Sequence, residues 1–435
     1  MIKMNGIYGL ILILFFFAIT PNLGFFTLLS FLLLSLIFVF LILNNESHSS
    51  GKPLTIEICF TLLFYACFYY GGLYQNKVSI FIGIMLFFTF VAFLFFNHYA
   101  WKNRFNIFPI ILVFYLFLGM WTLWGSPKPI VDTFDVFSQV GQKFLAFQNP
   151  YTAVFTRTYT QIDNHFHYLP FSFLSTSPFS ILFHDPRYTI IFFNILSVVL
   201  LKKLFKDKIE SHHLDMLLAT FLFLPRSFYM LEHMYLDPII FSFFLLFYYC
   251  FQKRKYTLSI FLLALFFSFK QNLLILLPLF VFDKNVRVAL KRKFIFFLVP
   301  FSLIVFYFFL SPRPFLSNTF FSMFGAVFYP QAVRSTPTDM ALSIQVFIKQ
   351  FAPHIKTVYL YGISGLALLA VSVRIIFLRS SNIVMKVFLM TFAMGYFMHL
   401  SFFNQYYFVA LFYFFALMLE QSSSQKIPKP LSKTL

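Results

Sequence analysis

The sequence predicts an all-α, polytopic bundle of transmembrane helices. Three observations lead there. Of the 435 residues, 60% are hydrophobic and only 11% charged, against roughly 25% charged in a soluble domain. Apolar runs recur from Ile7 to Leu419, each long enough or nearly long enough to cross ~30 Å of hydrocarbon as a helix. Backbone polar groups have no water to bond in that medium, so each run must satisfy them internally, which a helix does.

The first crossings are expected at residues 7–20, 25–43, 54–74, 78–97 and 105–125. The opening stretch "MIKMNGIYGLILILFFFAIT" has the look of a signal peptide, but no small-residue cleavage site leads into soluble chain, so it is read as a retained first helix. Net charge is +19, carried mainly by short connections. Lys102/Arg104, Lys202/Lys203/Lys206/Lys208, Lys253/Arg254/Lys255, Lys284–Lys293, Arg374/Arg379 and Lys426–Lys433 mark the cytoplasmic side. This pattern reports orientation and argues against a nucleic-acid partner.

The remaining connections then face outward. Ser126 to Tyr168 forms a first large outer loop and Ser311 to Pro353 a second, on either side of further helices that include residues 294–310. Helices near 357–373, 382–400 and 405–420 complete about 12–14 crossings. The whole is expected to be one membrane domain: N-terminal helices over 1–104, a second region over 105–420 and a cytoplasmic tail over 421–435. The expected location is the plasma (inner) membrane, with the outer face carrying the chemistry.

Two segments do not fit single crossings. Leu169–Phe183 holds Pro170 and Pro178, is short, and must leave and return to the outer side if Lys202 is cytoplasmic; a re-entrant segment satisfies that parity. Tyr256–Phe282 is flanked by basic clusters at both ends. Two short helices meeting near Lys270-Gln271-Asn272 keep the charge rule and lift Lys270 toward the outer face; a single helix with a snorkelling Lys270 breaks it.

Cys59, Cys67 and Cys250 lie inside apolar runs and suggest neither a disulfide framework nor a zinc site. No metal or cofactor is expected. The 73 Phe residues read as lipid-facing bulk.

Carboxylates are scarce, so their placement is informative. Glu46, Asp207, Glu210, Asp215, Asp283 and Glu420 fall in or beside cytoplasmic connections, whereas Asp132, Asp135, Asp163, Asp185, Glu232, Asp237 and Asp339 are assigned outside. In "IVDTFDVFSQVGQKFLAFQNPY", Val136, Val140, Phe144 and Phe147 recur at helical spacing, which predicts an amphipathic helix lying at the interface. Asp132 as N-cap and Asp135 as the N3 acid explain the pair structurally. The functional explanation is a general base, since an acid held at a lipid boundary gains proton affinity; a helix start can serve both purposes. Pro150 ends the helix and Tyr151 can sit at headgroup level.

A second group appears in "LPRSFYMLEHMYLDPIIF", with Arg226, Glu232, His233 and Asp237 in a short outer connection. Asp237-Pro238 is a natural helix start. Arg226 and Glu232 have no such explanation, and boundary ionisable groups are by default site candidates. His165 and His167 in "NHFHYLPF" would need a third ligand to hold metal and read as interfacial side chains.

Taken in order, the outer-loop Asp, the interfacial helix, "NPY", "HYLP", "HDPRY", "PRSFYMLE…DP" and "FKQ" resemble bacterial integral-membrane glycosyltransferases of the GT-C superfamily, particularly the polyprenyl-phosphate-mannose-dependent mannosyltransferase-like branch. The similarity runs from about Phe105 to Tyr407. One departure is that Phe147-Gln148 stands where relatives carry a Gly shortly before "NPY". The resemblance implies Asp132 as catalytic base, with Asp135 as its alternative. It implies that Glu232 and Asp237 line the site, that Lys270 and Arg226 meet the donor phosphate, and that Tyr168, Arg187, Asn404 and Tyr406 support it.

The expected activity is transfer of a hexose, such as mannose, from a polyprenyl-phosphate donor to a glycolipid or envelope-glycan acceptor, with membrane lipids around it. Fold-level likeness does not fix a substrate. The chief rival is a transporter or flippase of lipid-linked glycans, for which internal repeats would speak and none is visible; a noncatalytic envelope scaffold is the third reading.

Overall fold

The computed structural model describes residues 7–43, 52–156, 165–320, 341–378, 382–398 and 402–424. Asp163, Asp339, Glu46, Arg379 and the lysines of 426–433 lie outside the described residues. Among those described, the chain forms nineteen α-helices, one 3₁₀ helix and no strand beyond an isolated bridge between Phe25 and Ala341.

The N-terminal helices are α1 (Ile7–Ile19), α2 (Leu28–Leu43), α3 (Ile56–Phe68), α4 (Lys77–Tyr99) and α5 (Ile107–Gly125). They are followed by α6 (Asp132–Leu145), α7 (Pro170–Phe183), α8 (Tyr188–Phe205), α9 (Ser211–Leu222), α10 (Ser227–Glu232), α11 (Asp237–Gln252) and α12 (Tyr256–Phe267). A 3₁₀ helix (Gln271–Leu276) leads into α13 (Leu277–Phe282), α14 (Lys284–Leu310) and α15 (Pro312–Thr319). The last four are α16 (Ile344–Phe351), α17 (Thr357–Ile376), α18 (Ile383–Phe397) and α19 (Phe403–Ser424).

Five of these, α4, α5, α8, α14 and α17, are long and apolar enough to cross a membrane. Their outward residues are large and apolar: Tyr359, Ile363, Leu366, Leu369 and Val373 make a helical stripe on α17, and Ile295, Val299, Phe306 and Phe309 another on α14. Exposed apolar stripes of this extent are unfavourable in water and matched to lipid. At the centre stand α9, α11, α18 and α19, buried on nearly every side. These features are those of a multi-pass membrane protein.

Side-chain contacts define two ends of the bundle. At one, Lys202 pairs with Asp215 at 3.0 Å, His98 Nδ1 meets His212 Nε2 at 2.8 Å, and a His213 ring nitrogen reaches the Leu54 carbonyl. That end carries the basic clusters around residues 102, 202–208 and 253–255. At the other, Thr133 Oγ1 donates to the His233 carbonyl, and Lys270 pairs with Asp237 at the start of α11, opposite Lys253–Lys255 at its close.

The expected crossing over 54–74 is shorter: α3 stops at Phe68, and Tyr69–Gln75 forms a connection through Gly71 and Gly72. In 256–282 the helix breaks where the charge rule requires it. Ser268 leaves α12, Lys270 is extended (φ −136, ψ 137), and the chain re-enters as the 3₁₀ helix and α13. Segment 170–183 runs across one end of the bundle: it begins with Leu169 N–H bonded to the Phe269 carbonyl at 3.1 Å, and just beyond its close Arg187 reaches the Ser126 carbonyl at 2.7 Å. Both partners belong to the end that holds Asp237 and Lys270.

Candidate active site

The amphipathic helix α6 packs against α7, where a side chain at Gly141 would meet Ser180. Val136, Phe137 and Val140 are buried; Phe147 falls beyond the helix in the left-handed region (φ +56), 99% exposed, and is not part of the apolar face. The helix start also differs from the expected cap. Val131 is the N-cap, without a side-chain bond, and Asp132 is the first helical residue. Its Oδ1 accepts from the neighbouring Thr133 N–H at 2.8 Å. Asp132 is half-buried and forms no ion pair among the described residues, while Asp135 is buried one turn on.

Thr133 fixes α6 to the connection between α10 and α11, its Oγ1 2.5 Å from the His233 carbonyl. That connection is aromatic. His233 packs on Tyr229 at 3.9 Å, Tyr235 at 5.5 Å and Tyr74 at 5.3 Å between ring centres. Tyr235 lies within electrostatic reach of Asp132 and Tyr168, and Tyr168 lies 6.0 Å from Lys270 Nζ. Asp132 and Lys270 thus border the same aromatic connection, one through Thr133 on the His233 carbonyl and the other through Asp237 at the start of α11.

Lys270 donates to both oxygens of Asp237, at 2.9 and 3.1 Å, and both residues are buried. Asp237 is the residue after the Leu236 N-cap, so Pro238 occupies the second helical position rather than the first. Glu232 is fully buried. Its Oε2 accepts from Leu73 N–H at 2.6 Å and its Oε1 from Tyr74 N–H at 3.1 Å. Burial raises its carboxyl above the ordinary value, with Ser126 and these amides opposing. Burial also pushes His233 down to about 3, so its 3.5 Å approach to Glu232 is a contact of a neutral imidazole. Since His233 Nδ1 faces the Tyr229 carbonyl, that nitrogen carries the proton.

Arg187 is buried. It grips Asp185 through Nε and Nη2 (2.6 Å), gives Nη1 to the Ser126 carbonyl and lies over the Phe134 ring at 4.8 Å. Arg226, by contrast, forms no ion pair among the described residues and lies over Tyr69 at 5.0 Å. Tyr406 is turned inward, its hydroxyl against the carbonyls of Leu342 and Gly395. Asn404 is half-buried beside Phe403, which packs on Tyr229 at 5.6 Å.

A groove of about 660 Å³ opens beside the Asn-Pro-Tyr turn, lined by Tyr151, Thr152, His165, Arg313, Ser317 and Asn318 among others. It connects inward. Tyr151 donates to the Tyr168 carbonyl at 2.9 Å, and Gln271 beside Lys270 donates to the Thr319 carbonyl at 2.8 Å.

The chain matches no family model, no curated protein and no solved structure.

Asp132, Asp135, Tyr168, Arg187, Arg226, Glu232, Asp237 and Lys270 thus gather at one end, and Asn404 borders it. Sequence reasoning passed over Thr133, Asp185's grip on Arg187, and above all Tyr74 and Tyr235. Tyr235 stands inside the quoted "EHMYLDP", where an aromatic between two acids was the available signal. Tyr74 had none, because its place depends on Glu232, 158 positions away.

Proposed function

We propose that this chain is a membrane glycosyltransferase of the GT-C type, using a polyprenyl-phosphate sugar as donor. One observation carries the reading. At the bundle end away from the basic clusters, an acid without a cation partner (Asp132) and an arginine without an acid partner (Arg226) border the same aromatic connection, Tyr229–Tyr235. In a chain this poor in charge, uncompensated groups of opposite sign at a boundary mark a site.

In the proposed reaction an acceptor hydroxyl attacks C1 of the sugar. Asp132 takes the hydroxyl proton as the new C1–O bond forms. The bond from C1 to the phosphate oxygen breaks, and the electron pair leaves with the polyprenyl phosphate, whose growing charge Arg226 stabilises. A single displacement inverts C1. Lys270 is already balanced by Asp237 and would act on the phosphate only as a pair, by orienting Tyr168 and the start of α11. The acceptor, a glycolipid or envelope glycan, would approach through the groove beside Tyr151 and Arg313, on the outer face of the membrane.

The test is sugar transfer from a lipid-linked donor by Asp132→Asn in purified protein. Transfer should disappear while expression and thermal unfolding stay at wild-type values; wild-type turnover by both Asp132→Asn and Asp135→Asn removes the assigned base. A flippase is the second reading, favoured by the broken helix at 268–270, since transporters build sites at such breaks. Sealed vesicles separate the two: a new glycosidic bond supports transfer, and an unchanged substrate on the far side supports transport.

A further inference from the structure

The Asn-Pro-Tyr turn builds one wall of the groove described above, and α15 builds the other. The walls are tied together at several points. Asn149 Nδ2 donates to Ser311 Oγ at 2.9 Å, Asn318 Nδ2 donates to the Tyr151 carbonyl at 3.0 Å, and the Tyr151 ring packs on Phe315 at 4.7 Å between centres. His167 Nδ1 meets the Asn318 carbonyl at 2.9 Å, which holds the segment carrying His165 against the close of α15. A groove of about 660 Å³ with walls fixed in this way is preorganised for a ligand.

Two polar side chains that line it take no part in these ties. Arg313 is exposed and forms no ion pair among the described residues. His165 is half-buried, and its Nδ1 has no hydrogen-bond partner, which leaves Nε2 to meet a ligand. No carboxylate lines the groove among the described residues. Pro312 and Pro314 flank Arg313 and stiffen the backbone beneath it. Lys143, also without an ion pair among the described residues, stands over the Phe155 ring at 5.5 Å, just beyond the same turn.

The basic clusters of this chain lie at the opposite end of the bundle, where they report orientation. An arginine left without an acid in a groove at this end has no such explanation. A guanidinium fork beside an imidazole N–H matches a carboxylate or a phosphate, and cations without nearby carboxylates raise the local concentration of an anionic ligand.

We propose that the groove selects an anionic acceptor, a glycan bearing carboxylate or phosphate groups, whose acid group is held by Arg313 and His165. Calling this ligand the acceptor rests on the transferase reading; its negative charge does not.

The experiment is calorimetric titration of the detergent-purified full chain with three probes: trigalacturonate, its neutral methyl ester and a glycerol phosphate trimer. At least one anionic probe should bind about tenfold or more above the ester, the effect of a charge-assisted hydrogen bond, and the better of the two identifies the acid group. Arg313→Gln should remove most of that preference, with Arg313→Lys in between and His165→Gln weakening binding several-fold. Arg313 is exposed, so its replacement leaves the fold intact. Lys128→Gln, which removes an exposed cation outside the groove, should bind as wild type does. Equal binding of the ester, unchanged binding by Arg313→Gln, or an equal loss in Lys128→Gln overturns the proposal. Arg313-dependent binding by a chain that transfers no sugar from any polyprenyl-phosphate donor would leave the anion site standing and the transferase reading refuted; sugar transfer with an acceptor KM unmoved by Arg313→Gln would do the reverse.

Discussion

Lys270 Nζ donates to both carboxylate oxygens of Asp237, tying the break between α12 and the 3₁₀ helix to the first residue of α11. The pair is buried on both sides. It closes a gap of 33 residues, next to Ser268 and Phe269, whose carbonyls accept from the Phe171 and Leu169 N–H groups at the start of α7.

Removing one member leaves the other charge buried and unpaired. Lys270→Met or Asp237→Leu alone should cost about 3–5 kcal/mol, and the double replacement should recover most of it. Thermal unfolding of the three variants in one detergent checks this; strict additivity would show that the two do not act as a pair.

Asp132 and Asp135 should separate by the kind of damage they cause. Asp132 is half-buried with only its neighbour's N–H on Oδ1, so Asp132→Asn should lower turnover by about 10²–10⁴-fold, the range for a lost general base, with little change in melting. Asp135 is buried inside α6's packed face, so Asp135→Asn should act on stability first. Steady-state transfer rates beside melting curves distinguish the two.

Gly72 is required by Glu232. A Cβ at Gly72 would overlap the Glu232 carboxylate, and that carboxylate holds the Leu73 and Tyr74 amides. Gly72→Ala should destabilise by about 1–3 kcal/mol through overpacking. Glu232→Asp, shorter by one methylene, should soften the penalty when combined with it. Equal cost of Gly72→Ala in both backgrounds would rule out the clash as its cause.

Burial keeps His233 neutral down to about 3, whereas in the unfolded chain it titrates near its ordinary 6.5. A depressed folded-state value gives stability that is fully present above 6.5 and is lost as pH falls from there toward 3. The loss from this one group is about 1.4 kcal/mol per pH unit at most. Glu232, raised by burial, works in the opposite sense, losing stability as pH rises through its raised value. Melting temperatures between pH 7.5 and 4.5 should therefore fall less for His233→Gln than for wild type, and parallel curves would rule out His233 as the source.

Much of this end of the molecule was legible in advance because charge is so rare. Asp132, Glu232, Asp237, Arg226 and Lys270 stood out simply by being ionisable between apolar runs, and the basic clusters on both sides of 256–282 required the break that appears at Lys270. Cap assignments were less legible. Both Asp132 and Asp237 sit one residue inside their helices, because the preceding Val131 and Leu236 take the capping positions, a shift of one residue that no local pattern specifies.

Composition and spacing alone determined a helical bundle with its basic clusters at one end, because a backbone in hydrocarbon must bond within each segment and runs of lysine stay in water. Tertiary structure decided which charges found partners. Lys270 took Asp237, 33 positions away, Glu232 took the amides of a connection 158 and 159 positions away, and Arg226 was left among tyrosines, whereas Arg187 and Asp185 pair locally, two positions apart. Those choices follow from which helix ends are brought within 3 Å of one another, and that proximity is a property of the packed bundle.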